Sequence, residues 1–171
     1  HVKQPLFFIE AVHILKTQKF NFKNWRFKMY GRGDLYNEIF EALKKYNLQD
    51  LISIDANLDM TSVFEKSKCF VSTQEFENFP SLSMNEAMAA GNIIISRNVG
   101  QTELFVKDGV NGLLLKSDNP AGLADAINWF INNTDKHEKM ATESVRLTTQ
   151  VHNFENFRKQ LESFWLKIHN D

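Results

Sequence analysis

Apolar residues recur at Leu6, Ile9, Val12, Ile14 and Leu15. That spacing lays them along one face of a helix, and Pro5 suits its first turn because a proline there forfeits no hydrogen bond. The pattern then changes. Trp25 to Tyr30 reads as a strand, "GRGD" at 31–34 turns the chain, and a helix is expected over 35–46. "LISIDA" at 51–56 alternates as a strand does, and 59–67 forms a short helix with Asp59 as its cap. "KCFVST" at 68–73 is a compact apolar strand. After a polar loop, a helix is expected from Ser83 to Ala90, stopped by Gly91 in a positive-φ conformation.

"NIIIS" at 92–96 is apolar on both faces, as a strand covered from both sides must be. A short helix near Glu103–Val106, turns at Gly109 and Gly112 and a strand at Leu113–Leu115 follow. Asn119 and Pro120 open a helix to Asn132, and two more are expected near 134–149 and 154–169. The last carries Phe154, Phe157, Leu161, Phe164, Trp165 and Ile168 in an amphipathic stripe.

Strand and helix alternate, which predicts an α/β fold: a Rossmann-like parallel sheet with helices on both faces. A crossover unit runs strand, helix, strand. The first helix has no strand before it, so the expectation is that a first strand lies upstream of His1 and that the chain is a fragment. Residues 1–150 are expected to form the sheet-containing lobe. Residues 151–171 are expected to form a C-terminal helix packed on that lobe or turned toward a part of the protein absent from this sequence.

Composition narrows the partners. The chain has 171 residues, 43% hydrophobic and 24% charged, which is ordinary for a globular protein. A net charge of −1 gives no bulk attraction to nucleic acid. The one cysteine, Cys69, rules out an internal disulfide and reads as a packed thiol in a strand. The five histidines lack metal-ligand spacing, so no metal site is expected. No apolar run approaches the length of a membrane span.

In an open parallel sheet, ligands bind outside the carboxyl ends of the strands. Three loops are expected there: "YGRGD", "DANLD" and "TQEFENFPSLS". The first lacks the third glycine of a dinucleotide fingerprint, since Tyr36 stands there, and reads equally as a glycine turn. The third loop runs into a helix whose free amides and dipole favour an anion. Ser81 and Ser83 are placed to cap the helix or to donate to phosphate. Glu86 either accepts hydrogen bonds from ribose hydroxyls or closes a capping box with Ser83. Glu77 either holds sugar hydroxyls or is a solvated loop charge. Glu75 reads as solvated.

"ENFPSLSMNEAMAAGNIIISRNVGQTELFVKDGVNGLLL" resembles the donor-binding lobe of retaining glycosyltransferases of the GT-B fold, in their large family 4 (glycosyl transferases group 1). The resemblance rests on Glu86-Ala87-Met88-Ala89-Ala90-Gly91, Val99-Gly100, Glu103, Asp108-Gly109, Asn111-Gly112-Leu113 and Asn119-Pro120 with Leu123-Ala124. It implies one lobe of a two-lobe enzyme that takes a UDP-, GDP- or ADP-sugar, with no cofactor and no metal.

By that resemblance Glu86 holds the ribose, Glu77 contacts the transferred sugar as the catalytic carboxylate, and the amides of Ser81, Leu82 and Ser83 meet the diphosphate. Asn57 and Leu58 lie against the base. Phe79, Pro80 and Gly31 complete the donor site, and Lys3 stands for the lysine of the phosphate clamp. Three departures matter. Eight residues separate Glu77 from Glu86, one more than the family's spacing, so either Glu77 or Asn78 fills the first position. Gln101 replaces a common glycine. The clamp's arginine would lie before His1.

The implied activity is transfer of a hexose from the nucleotide-sugar to a glycan or lipid, in surface polysaccharide or glycolipid synthesis of a bacterium. The fragment alone would be inactive. An N-terminal acceptor-binding lobe is the implied partner, with peripheral association at the inner face of the cytoplasmic membrane through that lobe and no nucleic acid. The alternatives are a nucleotide-sugar epimerase-like lobe and a non-catalytic interaction module. On the late helices, Trp129, Phe130, Phe164 and Trp165 are the side chains expected to pack against the absent lobe.

Overall fold

A computed structural model describes residues 2–56, 59–76 and 81–170 of the chain. The order of elements is α1 (Pro5–Thr17), β1 (Phe27–Tyr30), α2 (Tyr36–Lys45), β2 (Ile52–Asp55), α3 (Met60–Lys66), β3 (Cys69–Ser72), α4 (Leu82–Ala89), β4 (Ile93–Ser96), β5 (Gly112–Leu114), α5 (Pro120–Asn132), α6 (His137–Gln150) and α7 (Phe154–Asn170). Among the described residues every strand pairing is parallel. The strands form two ladders, β1–β2 and β3–β4–β5, and no strand among the described residues pairs with both. The α/β expectation with helices on both faces is met.

One core nevertheless spans the two ladders. Phe8, Ile9, Val12 and Leu15 of α1 and Leu123, Ile127, Phe130 and Ile131 of α5 pack with Ile52 of β2 and with Ile93 and Ile95 of β4. The opposite face of β4 presents Ile94 to Phe64 of α3, to Met84, Ala87 and Met88 of α4 and to Leu147 of α6. A strand covered on both faces has no place for alternation, which is why "III" is unbroken. Ala87 is fully buried, and its small side chain lets α4 lie close to the sheet.

Local chemistry sets the ends of the elements. Asp59 caps α3, accepting from the Ser62 amide at 3.2 Å. Asn119 caps α5 by accepting from Gly122 N–H at 2.9 Å, ahead of Pro120. α4 ends as expected at Gly91, φ 77°, where Gly91 N–H bonds Met88 O and Asn92 N–H bonds Ala87 O. Those two bonds satisfy carbonyls that a helix end leaves open. The helix expected at 103–106 is a single tight turn at Thr102–Leu104, and the strand expected from Leu113 begins at Gly112.

Two expectations about aromatic residues need correction. Phe130 faces its own core, with its ring stacked on His137 at 4.1 Å and edge-on to Trp25 at 5.1 Å. Trp129 is half-buried beside it, with the Lys136 ammonium over its ring. By contrast Phe164 and Trp165 of α7 are about three-fifths exposed (58% and 62%), together with Phe154, Phe157 and Leu166. No helix among the described residues is long and apolar enough to cross a membrane.

Candidate functional site

The expected site gathers where β3 hands the chain to α4. Of its residues, Glu77, Asn78, Phe79, Pro80, Asn57 and Leu58 lie outside the described residues. The others are placed. Ser81 is the cap of α4: it is extended (φ −94°, ψ 108°), buried, and its hydroxyl accepts from the Met84 amide at 3.3 Å. Leu82 and Ser83 follow in the first turn, both exposed. Their amides have no carbonyl four residues back to bond, so they point out of the helix at its positive end.

This cap placement overturns one reading of Glu86. A capping box needs Ser83 as the cap, but Ser83 lies inside the helix and Ser81 does the capping. Glu86 instead sits in the second turn, exposed, and its carboxylate has no hydrogen-bond or ion-pair partner among the described residues. It is free to accept from a ligand. Gly31 leaves the carboxyl end of β1 at φ 143°, with open space on its Cβ side, and its amide bonds Asp55 O at 3.1 Å.

Lys3 is brought to the site by a strap. The segment Val2–Gln4 runs beside residues 73–75, just past β3. Glu75 N–H bonds Val2 O at 3.0 Å, and the Thr73 hydroxyl donates to Lys3 O at 2.7 Å. The Lys3 ammonium donates to the Gln74 side chain, and the Gln4 amide donates to Glu75 Oε2 at 2.6 Å. Glu75 was expected to be solvated. It is half-buried and engaged twice, because folding brings a segment 71 residues away against it.

Sequence reasoning also missed Arg97 and Asp118. Arg97 follows β4 and is 8% exposed. Its Nε and Nη2 form a fork onto the Asp118 carboxylate at 2.5 and 2.7 Å. The hydrogen bonds from Arg97 hold the Asp118 carboxyl below the ordinary aspartate range, against the opposing effect of its own partial burial. A signal was present: a charged residue directly after the buried strand Ile93–Ser96, at the strand end where ligands bind. Cys69 is a packed thiol as expected, and burial pushes its pKa far up. No cluster of metal-ligating side chains exists among the described residues.

Comparison with known proteins agrees with this fold. The family model described as "Glycosyl transferases group 1" matches residues 1–146. An uncharacterized glycosyltransferase of Methanocaldococcus jannaschii is 32% identical over 114 residues, 66% of this chain and 32% of that protein. A crystal structure of a Rickettsia africae glycosyltransferase superposes with a TM-score of 0.83 at 22% identity, covering 100% of this chain and 46% of the other. An Anabaena protein, HepE, solved in complex with UDP and glucose, superposes at 0.82 with 19% identity, over 96% of this chain and 45% of that one. The chain thus spans about a third of that curated relative and under half of those two structures.

Proposed function

The chain belongs to the glycosyl transferases group 1 family, and from that premise we propose that it is the donor-binding lobe of a retaining hexosyltransferase. The lobe binds a UDP-, GDP- or ADP-sugar. A second lobe, beyond this sequence, brings a glycan or lipid acceptor, in surface polysaccharide or glycolipid synthesis. The observation that carries the reading is Glu86: an exposed carboxylate, unpartnered among the described residues, one turn beyond the open amides of Leu82 and Ser83, with Lys3 strapped to the loop before them.

In this reading the diphosphate meets the Leu82 and Ser83 amides, where the helix dipole favours negative charge. Lys3 offsets the charge that grows on the leaving phosphate. Glu86 accepts from the vicinal ribose hydroxyls. Glu77 or Asn78 contacts the transferred sugar, and Asn57 and Leu58 lie against the base. The acceptor hydroxyl attacks the anomeric carbon on the face the diphosphate leaves, the departing phosphate taking its proton, so configuration is retained. The segment 151–171, which contains α7, turns its apolar face toward the acceptor lobe.

The test is a titration of the chain with UDP, GDP and ADP followed by amide chemical shifts. Perturbation is expected at Ser81 to Glu86 and around Lys3, with millimolar affinity, about 4 kcal/mol. Glu86→Ala is expected to weaken the response about tenfold, a charge-assisted hydrogen bond's worth. Silence near Glu86 with all three nucleotides would overturn the reading.

A further inference from the structure

Charged side chains are seldom as buried as Arg97 unless they are paired, and Arg97 is paired in several directions at once. Its fork grips Asp118, in the loop between β5 and α5. Nη1 points to Thr73 O at 3.4 Å, at the exit of β3. The guanidinium lies over the Phe7 ring of α1, 4.9 Å from its centre. One side chain thereby ties four segments together at the carboxyl ends of the strands.

Thr73 is the shared residue. Its carbonyl faces Arg97 and its hydroxyl donates to Lys3 O. Phe7, whose ring lies under the guanidinium, is in the first turn of α1, four residues after Lys3. We propose that Arg97 is a positioning residue for the donor site: by holding Thr73 and Phe7 together, it seats the Val2–Gln4 strap and so places the Lys3 ammonium for a nucleoside diphosphate. The proposal rests on the donor-lobe reading above.

Nε, Nη1 and Nη2 of Arg97 each direct an N–H at an acceptor of the protein, so at least three of the five donors hold the guanidinium in place and its role here is positioning. A lysine could not replace it. The planar fork supplies two parallel bonds to one carboxylate, a further N–H for Thr73 and a flat face for Phe7, whereas an ammonium is a point charge.

The experiment compares the wild-type chain with Arg97→Lys, Lys3→Ala and the double variant. The ligands are whichever of UDP, GDP or ADP the wild type answers most strongly, and the matching nucleoside. Arg97→Lys is expected to weaken the nucleoside diphosphate about 3- to 10-fold, and to cost nothing further in the Lys3→Ala background, because groups acting through one another are not additive. Affinity for the nucleoside is expected to stay the same. Equal losses for nucleoside and diphosphate, or full additivity with Lys3→Ala, would overturn the proposal.

Amide exchange separates its failure from that of the donor reading. Glu75 N–H, bonded to Val2 O, is expected to exchange about tenfold faster in Arg97→Lys while Ile94 in the core keeps its protection. If no nucleotide binds the wild type, the donor reading fails and the phosphate role falls with it. Unchanged Glu75 exchange would show instead that Arg97 does not seat the strap.

Discussion

A guanidinium as little exposed as that of Arg97 gains from a carboxylate partner that stays ionised. Asp118 is more than half exposed, so solvent screens the pair and its worth is well below that of a buried bridge. The direction of its pH dependence is nonetheless definite. Hydrogen bonding to Arg97 lowers the folded pKa of Asp118 below the ordinary 3.8. As pH falls through that range the unfolded chain binds the proton first, so stability is complete above 3.8 and is lost as pH falls toward the lower, folded value. Acid titration of urea stability is therefore expected to fall more steeply below pH 4 in the wild type than in Asp118→Asn, the two curves converging. Parallel curves would mean the fork does not form. Neither partner was legible as a pair in the sequence, because nothing local links positions 97 and 118; Glu86 was legible, because cap, helix and carboxylate lie within six residues.

The elements were mostly readable because each rests on local signals: Pro5 and Pro120 at helix starts, Asp59 and Asn119 as caps, Gly91 at a helix end. Close approach between elements was not. At Gly112 of β5 a Cβ would stand 2.3 Å from Ile94 O and 2.7 Å from Val106 Cγ1, a distance no side chain tolerates without moving the strand. Gly112→Ala is expected to destabilise by about 1–3 kcal/mol through overpacking. Gly33→Ala, with nothing within 4 Å of its Cβ and no left-handed backbone, is expected to be neutral. Denaturant midpoints of the two variants check this, and equal shifts would contradict it. The sequence marks both positions only as glycines in turns.

At the scale of the molecule, α7 stands apart. Its apolar stripe is as regular as that of any core helix, yet Phe157, Phe164, Trp165 and Ile168 are all more than half exposed. If that face is uncovered in the chain by itself, Phe164→Ser with Trp165→Ser is expected to leave the unfolding midpoint unchanged within about 0.5 kcal/mol, as surface substitutions do. A larger loss would mean that the helix folds back onto the lobe. Periodicity by itself says which residues share a face of a helix, and never what that face meets. The sequence by itself determined the order and type of the elements, the parallel α/β architecture and the helix start that carries Ser81 and Glu86, since these depend on spacing, caps and glycines within a few residues. Tertiary structure alone decided that Val2–Gln4 lies on 73–75, that Arg97 grips Asp118 and Thr73, and that Phe130 turns inward while Trp165 turns out. Those outcomes follow from which segments the sheet brings side by side, and contacts across 20 to 100 residues of chain leave no local mark.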